Sequence, residues 1–437
     1  MNTWVAAIDF KKAFDSINQD YLWRTLDEQH VPAAYVSVLR GLYASQTAQV
    51  KTDVLSRKFE IHRGTKQGDP LSSLLFNALL ERVMSKVKQT FVERKYGIQL
   101  GFGSVDTADD TRLTNLRFAD DILITGRSLQ QLSEMLLLLC TESQVSGLQL
   151  HPEKTKIISS TNREHRPRQK ITKVGDMKIE VLARNDKIKY LGRQITFENA
   201  TVVELSNRIK AAWAKFMQYK NELTRKNYSL SDRLRLFDSV VSSTVLYGSE
   251  AWTLTAEMAR LLKTTQRRML RMILGQGRRR IESTRGLTEE DQKSGDSEGD
   301  CASIQDDEGE MVEPWVDWIR RVTHNVESSL QRLKIRTWVE QARKRKWRYA
   351  AELYSGRGRQ KWTHIALLWN PQLHSDTLQS TARRKPARPN LRWTDELQNF
   401  IKNRLQPGEA LNDVCTDPDF WEKHENSFIN RESELTL

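Results

Sequence analysis

Cysteine is scarce in this sequence, and its spacing excludes two common kinds of small scaffold. Only three cysteines occur, Cys140, Cys301 and Cys415, and no two of them form a CxxC pair. Neither a disulfide framework nor a zinc knuckle is therefore indicated. A reducing compartment inside the cell, the cytoplasm or the nucleus, is the expected location.

Long apolar runs are also missing. No stretch of about 18 apolar residues occurs, so we expect no membrane-spanning helix. The first residues, MNTWVAAIDF, lack the charged and apolar regions of a signal peptide. They enter a strand-like run at once, which predicts a chain that begins inside a domain.

Acidic residues are outnumbered by basic ones. The 437 residues include 69 Lys and Arg against 56 Asp and Glu, which gives a formal net charge of +13. Such a surplus attracts phosphate polyanions, because their counterions are released on binding. Histones, ribosomal proteins and membrane-surface proteins share this property, so charge alone does not define the function. The length favours two or three domains.

Four regions of different composition follow one another along the chain. Residues 1–200 mix strand-like and helix-like patterns, whereas residues 201–274 are helical throughout and end in a basic amphipathic helix. Residues 275–313 contain an acidic tract with few apolar side chains, which predicts a disordered linker. Residues 314–437 form a basic, Trp-rich module with helical periodicity in its first half. We interpret its tryptophans mainly as core residues.

The pattern within residues 1–200 predicts an α+β domain. Trp4–Ile8 is an apolar strand, and residues 116–125 predict a hairpin with an Asp-Asp pair at its tip. Two segments, at about 71–87 and 128–146, carry apolar residues at helical spacing. We expect these helices to pack on the back of a small antiparallel sheet.

Three aspartates lie where divalent metal ions could be bound. Asp9 ends the first strand, and Asp120 and Asp121 form the tip of the predicted hairpin. Carboxylates flanked by apolar residues are costly unless cations neutralise them. Mg²⁺ prefers oxygen ligands, and nucleotidyl transfer uses two such ions about 3.5–4 Å apart. The pattern indicates a two-metal site, although an isolated Asp-Asp pair is more often a solvated turn.

A glycine-containing loop lies between these aspartates. Its sequence is RGTKQGDPLS, in which Gly64 and Gly68 flank Thr-Lys-Gln and Pro70 begins a helix. Glycines let the backbone of such a loop approach a ligand closely. Gln67 can hydrogen-bond a sugar or the edge of a base.

Five motifs, in this order, resemble those of the LINE-type reverse transcriptases of non-LTR retrotransposons. AIDFKKAFDSI (residues 7–17) resembles motif A of that family, residues 63–72 resemble motif B, and FADD (118–121) resembles motif C. GLQLHPEKTK (147–156) is similar to motif D, and YLG (190–192) to the primer-grip motif E.

The resemblance continues beyond the motifs with less specific matches. Residues 201–274, which include LYGSEAW at 246–252, resemble the helical thumb of the family. RKW (345–347) and RWTD (392–395) are similar to the C-terminal region of RTE-like elements. The implied fold is a reverse-transcriptase palm with an antiparallel sheet and packed helices, followed by a helical thumb and a basic helical C-terminal module.

The resemblance implies an RNA-directed DNA polymerase. Such an enzyme adds deoxynucleotides, supplied as triphosphates, to the 3′ hydroxyl of a DNA primer on an RNA template. It would use two Mg²⁺ ions, for which Mn²⁺ is a possible substitute. No membrane partner is implied, and the oligomeric state is left open.

The resemblance also assigns catalytic residues. Asp9 and Asp120 are the implied principal metal ligands, and Asp121 is a supporting carboxylate. Either Lys154 or Lys156 would lie near the leaving pyrophosphate as a cation or proton donor, and Lys154 is the preferred candidate.

Two further groups of residues are implied to contact the substrates. Phe14 falls where the family places the aromatic residue that screens the sugar 2′ position. The complete implied nucleotide-binding set is Phe10, Phe14, Gln67 and Gly68. The implied primer grip is Tyr190, Leu191 and Gly192.

Some features depart from the family pattern and keep other functions open. The first strand lies so near residue 1 that the fingers region would be missing and no endonuclease segment would precede it, and His151 stands where Asn is usual. One alternative is a catalytically weak or inactive retroelement remnant that only binds nucleic acid, and another is a maturase-like RNA-binding cofactor. Because of the net positive charge, we expect strong, salt-sensitive nucleic-acid binding. Because the fingers region would be missing, we expect weak polymerisation.

Overall fold

The computed structural model describes residues 2–100, 112–161, 170–280, 304–305, 311–355, 362–364, 392–405 and 414–431. The chain divides into two compact units, one up to Val203 and the other beginning at Glu204. This division lies close to the predicted boundary at residue 200. Within the described ranges, no helix is long and apolar enough to cross a membrane.

The first unit combines twelve described strands with four helices. Its strands are β1 (Trp4–Ile8), β2 (Thr47–Ala48), β3 (Phe59–Glu60), β4 (Ile98–Gln99), β5 (Arg112–Leu113), β6 (Asn115–Phe118), β7 (Asp121–Gly126), β8 (Lys156–Ser159), β9 (Lys170–Val174), β10 (Met177–Leu182), β11 (Ile188–Tyr190) and β12 (Arg193–Ile195). Its helices are α1 (Gln19–Glu28), α2 (Ala33–Tyr43), α3 (Pro70–Glu93) and α4 (Leu129–Val145).

A six-stranded sheet forms the centre of this unit. Its order is β6-β7-β1-β8-β10-β9, and the remaining described strands pair as the hairpins β2–β3, β4–β5 and β11–β12. The sheet is antiparallel except that β8 and β10 run parallel. The expected antiparallel sheet is confirmed, with this pair as its one exception in the described sheet, because the chain returns through β9, which pairs on the far side of β10.

Strand β1 occupies the middle of the sheet and separates two apolar clusters. It is hydrogen-bonded to β7 on one side and to β8 on the other. Since side chains alternate along a strand, Ala6 and Ile8 enter the main core, which the helices complete. Val5 enters a smaller cluster with Leu123 and Ile158 on the other face.

Helix α3 begins directly after the glycine loop and supplies much of the main core. Asp69 caps it by accepting a hydrogen bond from Leu71 N at 2.9 Å, and Pro70 takes the first position, where no amide donor is needed. Side chains three and four residues apart, such as Phe76 and Leu79, are fully buried. Leu74, an apolar residue of the same predicted segment, is 66% exposed, because at 3.6 residues per turn it lies on the opposite side of the helix from Phe76 and Leu79.

The second unit is helical. Its elements are α5 (Ala200–Gln218), α6 (Lys220–Thr224), α7 (Leu230–Phe237), a π-helical turn (Asp238–Ser242), α8 (Ser243–Val245), a 3₁₀ turn (Ser249–Ala251), α9 (Ala256–Leu274), β13 (Ile304–Gln305), β14 (Met311–Val312), α10 (Trp315–Arg332), α11 (Trp338–Tyr354), α12 (Asp395–Lys402) and α13 (Pro418–Asn430). Helices α5 to α11 share one hydrophobic core, so the predicted thumb segment packs with the first C-terminal helices.

The interpretation of the C-terminal tryptophans as core residues is confirmed for four of them. Trp338 is fully buried, stacks on Phe237 with ring centroids 5.9 Å apart, and donates its indole N–H to Ser242 Oγ at 2.7 Å. Trp347 is equally buried and donates to the Trp421 carbonyl at 2.8 Å. The other two buried tryptophans are Trp393 and Trp421, at 8% and 5% exposure, whereas the interpretation is wrong for Trp315 and Trp362, which are 54% and 42% exposed.

The segment that is predicted to be a disordered linker lies mostly outside the described residues. Its described ends are paired, since β13 forms a short hairpin with β14. Arg280 also bridges to Val312, and Arg279 N donates to the Glu313 carboxylate at 3.2 Å.

Gly147, just after α4, is a position where the fold requires glycine. Its φ is +90°, and a Cβ there would lie 2.3 Å from the Ser16 carbonyl oxygen and 2.9 Å from Asn18 N. We expect Gly147→Ala to lower the free energy of unfolding by about 2–4 kcal/mol, from left-handed strain plus overpacking. Chemical denaturation with peptide-resolved hydrogen exchange over β1 measures this loss.

The matched control is Gly41→Ala in α2, where a Cβ meets nothing within 4 Å. Alanine is favoured over glycine in an exposed helix by about 0.5–1 kcal/mol, so this variant should be as stable as the parent or slightly more stable. Equal losses at both positions would contradict the close approach of Gly147 to residues 16–18.

Candidate active site

Two aspartates lie side by side where β1 ends and β7 begins. Ile8 and Ile122 are Cα partners, Asp9 follows the first of them, and Asp121 precedes the second. The alternation of side chains directs both carboxylates to the face opposite the helices, which is the face of Val5. Residues 112 positions apart in the chain are thereby adjacent in the sheet.

Asp120 occupies the tip of the β6–β7 hairpin. Because Phe118 pairs with Asp121, the residues Ala119 and Asp120 form a two-residue turn. Ala119 has a φ of +52°, a left-handed conformation that costs an alanine roughly 1–2 kcal/mol. Backbone strain of this kind clusters at functional sites.

The three carboxylates influence one another electrostatically. Burial raises the pKa of Asp121 above its usual value, and the charges of Asp120 and Asp9 raise it further. In the part of the chain that the structure describes, no three or more His, Cys, Asp or Glu side chains are placed so that they could hold a metal ion as they stand. The charges of Asp9 and Asp120 therefore act on Asp121, but the three side chains do not form a complete set of metal ligands.

One carboxylate oxygen of Asp9 is buried without a hydrogen-bond donor. This atom, Oδ2, is shielded from solvent and accepts no hydrogen bond. The Nζ of Lys154 lies 3.2 Å from that oxygen, which is an ion-pair contact without hydrogen-bond alignment. An orphaned carboxylate oxygen beside two further carboxylates is a donor set that suits a hard divalent cation.

The segment after α4 brings one of the two candidate lysines to the aspartates. His151 N donates to the Asp9 carbonyl at 2.7 Å, and the turn that follows carries Lys154 to the Asp9 carboxylate. Lys156 instead forms an ion pair with Glu180. The structure thus distinguishes two lysines between which the sequence could give only a preference.

The glycine loop packs against the segment that follows β1. Gly64 N donates to the Ile17 carbonyl at 2.8 Å, and Thr65 N donates to the Phe14 carbonyl at 2.9 Å. Gly64 has a φ of +85°, and a Cβ there would lie 2.8 Å from the Asp15 backbone. Glycine is required here because two backbones meet.

Gln67 is held by a residue to which the sequence assigned no site role. Its Nε2 atom donates to Asp15 Oδ1 at 2.9 Å, and both side chains are exposed. Gly68 follows with a φ of +85° and open space where a Cβ would lie. Only a weak indication of a site role for Asp15 was present in the sequence. Asp15 directly follows Phe14, but its hydrogen-bond partner lies 52 positions away.

The two phenylalanines of the implied nucleotide site are placed differently. Phe14 is partly buried and packs on Phe76 with ring centroids 4.7 Å apart. Phe10 is only 4% exposed and belongs to the main core. The ring of Phe10 therefore faces the helices, and a nucleotide could meet only its backbone.

The implied primer-grip residues lie at the tip of the β11–β12 hairpin. Leu191 and Gly192 both have positive φ, at 47° and 73°, as a tight two-residue turn requires. Burial raises the pKa of Tyr190, and the charge of Asp121 raises it further. Tyr190 also packs against the apolar cluster of Val5 and Leu123, so the hairpin lies on the same face of the sheet as the aspartates.

The basic helix α9 offers less free charge than its sequence suggests. Arg267 pairs with Glu327 of α10, and Arg271 donates to Thr323 Oγ1 at 3.2 Å. Lys263 is exposed. Part of the positive charge expected to bind nucleic acid therefore holds two helices of the second unit together.

Comparison with known families identifies a match to the first unit. Residues 1–195 match the family model described as reverse transcriptase (RNA-dependent DNA polymerase).

Individual proteins that are similar to this chain, at low sequence identity, also come from transposons and retrotransposons. A transposon-derived protein of Caenorhabditis elegans is 29% identical over 304 residues, which cover 68% of this chain and 89% of that protein. A Pol polyprotein from the retrotransposable element R2 of Popillia japonica is 27% identical over 282 residues, which cover 62% of this chain and 37% of the polyprotein. The chain thus spans well under half of that polyprotein.

Among solved structures, apo telomerase from Candida tropicalis aligns with a TM-score of 0.35 and 15% identity. The alignment covers 62% of this chain and 41% of the telomerase chain.

The repulsion among the aspartates should appear in the stability of the metal-free protein. The folded-state pKa of Asp121 is raised, so its ionisation opposes folding: the loss of stability begins above the ordinary pKa of an aspartate and is complete above the raised one. Asp120→Asn removes one repelling charge and should raise the melting temperature at pH 7 in a chelator by about 1–3 °C. The gain should vanish as the pH falls through the pKa of Asp121, because the proton then neutralises that carboxylate.

Thermal unfolding at a series of pH values measures this difference. Asp53→Asn, an exposed aspartate in the β2–β3 loop, is the matched control and should leave the melting temperature unchanged. A lower melting temperature for Asp120→Asn at pH 7 would contradict the charge coupling.

Proposed function

We propose that this chain, whose residues 1–195 form a reverse transcriptase domain of the non-LTR retrotransposon type, copies RNA into DNA from a primer 3′ hydroxyl. The observation that carries the proposal is the β1–β7 register, which sets Asp9 beside Asp121 within the matched domain. The substrates would be an RNA template, a DNA primer and deoxynucleoside triphosphates. These occur inside the cell, so the reaction would take place in the cytoplasm or the nucleus.

Asp9, Asp120 and Asp121 are the residues that would hold divalent cations, with Mg²⁺ as the expected ion and Mn²⁺ as a substitute. The orphaned Oδ2 of Asp9 and the raised pKa of Asp121 support this assignment, because both groups gain when a cation approaches. When bound, two such ions lower the pKa of the primer hydroxyl and offset the charge of the triphosphate.

Other residues of the site would position the incoming nucleotide. Phe14, braced by Phe76, would screen the sugar 2′ position. Gln67, oriented by Asp15, would hydrogen-bond the sugar or base, and the open space at Gly68 would admit the nucleotide backbone.

The remaining assignments concern the leaving group and the primer. Lys154 would meet the pyrophosphate as a cation or a proton donor, and its proximity to Asp9 supports that role over one for Lys156. Tyr190 and the Leu191–Gly192 turn would support the primer end, since Tyr190 packs against the apolar cluster on the face of the aspartates.

Primer extension on an RNA template tests the proposal directly. We expect weak Mg²⁺-dependent incorporation of deoxynucleotides that falls at least about a hundredfold, to background, in Asp120→Asn, because the reaction depends on metal electrostatics. Asp53→Asn is the matched control and should keep the parent rate. Activity that survives Asp120→Asn would remove the site assignment, and saturable RNA binding without any extension would support a binding-only protein.

The Asp15–Gln67 hydrogen bond should tune nucleotide binding. Asp15→Ala frees the Gln67 amide to rotate, so we expect the KM for deoxynucleotides to rise by about three- to tenfold with a smaller change in kcat. Asp15→Asn keeps an oxygen acceptor and should restore part of the loss.

A double-mutant cycle with Gln67→Ala measures whether the two residues act together. If they do, Asp15→Ala should have little further effect once Gln67 is replaced. Fully additive losses would contradict a positioning role for Asp15.

A further inference from the structure

The Asp9–Lys154 contact combines a fixed partner with a movable one. The backbone of Asp9 is held on both sides, since its carbonyl accepts from His151 N at 2.7 Å and its amide donates to Thr155 Oγ1 at 3.4 Å. The Lys154 side chain, in contrast, is 65% exposed and reaches the carboxylate from solvent. A long exposed lysine gains rotamer entropy when it is released.

The ammonium and a metal ion would compete for the same carboxylate. Asp9 Oδ2 accepts no hydrogen bond, so Lys154 Nζ at 3.2 Å supplies the positive charge next to it. Mg²⁺ binds carboxylate oxygens at about 2.0–2.1 Å. A dication at that distance from Oδ2 would lie close to the ammonium and repel it strongly.

We propose that Lys154 is a displaceable counter-ion of Asp9, which occupies the carboxylate in the metal-free protein and must leave before a divalent cation can bind. This inference rests on the proposed metal site at Asp9. The same displacement would return a free ammonium to the site at the time when the triphosphate arrives with its negative charges. Lys154 would therefore alternate between a carboxylate and a phosphate partner.

The neighbouring Lys156 provides the contrast that makes the inference testable. It lies two positions along the chain and carries the same charge, but it is paired with Glu180 and less exposed, at 32%. Removing either ammonium changes the net charge of the protein equally. Only the removal of Lys154 abolishes the competition at Asp9.

The experiment is a Mn²⁺ titration of the full chain without nucleic acid or nucleotide, in which electron paramagnetic resonance reports the free ion. We expect Lys154→Met to tighten Mn²⁺ binding by about two- to tenfold. Lys156→Met should stay close to the parent, and Lys154→Arg should restore the parent affinity.

Two outcomes overturn the inference alone: equal tightening in both methionine variants, or unchanged or weaker binding in Lys154→Met while the parent binds Mn²⁺. A parent protein and variants that all fail to bind Mn²⁺ would overturn both the inference and the proposed metal site. Circular dichroism confirms that each variant is folded, and Lys154→Gln provides a second neutral replacement.

Discussion

The register between β1 and β7 is the constraint on which the candidate site depends. It pairs Trp4 with Gly126 and Ile8 with Ile122, which leaves Asp9 and Asp121 as neighbours just beyond the last apolar pair. A shift of β1 by one residue would turn Asp9 toward the helices and Ile8 toward the opposite face, where the aspartates now lie. Because β1 is also bonded to β8, two partners and two apolar clusters oppose such a shift.

The same arrangement holds repelling charges together, and the rest of the unit must offset that cost. The pKa of Asp121 is raised by burial and by two neighbouring carboxylates, and Ala119 adopts a left-handed conformation at the hairpin tip. The main core on the opposite face, with fully buried side chains such as Phe76 and Ile122, supplies the stabilisation. Strain and charge are thereby confined to the face of the sheet where substrates would bind.

Short-range patterns predicted the elements of this site well. The apolar run before Asp9, the hairpin around Asp120 and the Asp69–Pro70 helix start each depend on neighbouring residues, and the structure has all three. Strand alternation from Ala6 and Ile8 also extends to Phe10, whose ring lies in the same main core.

Long-range geometry could not be predicted in this way. The parallel pairing of β8 with β10 depends on where the intervening chain returns. The partner of Asp15 lies in another motif, and Lys154 and Lys156 are equivalent until the turn after His151 is known. Similarly, the core shared by α9 and α11 joins segments that composition had separated.

A crystal structure of the full chain with Mn²⁺, with the metal located by anomalous scattering, tests most directly whether these aspartates bind a divalent cation. We expect a strong peak at about 2.0–2.4 Å from a carboxylate oxygen of Asp9 and from one of Asp120 or Asp121. We also expect Lys154 Nζ to have moved away from Asp9 Oδ2. A Mn²⁺ peak that makes no contact with Asp9, at a concentration where the protein is saturated, would contradict the proposed metal site.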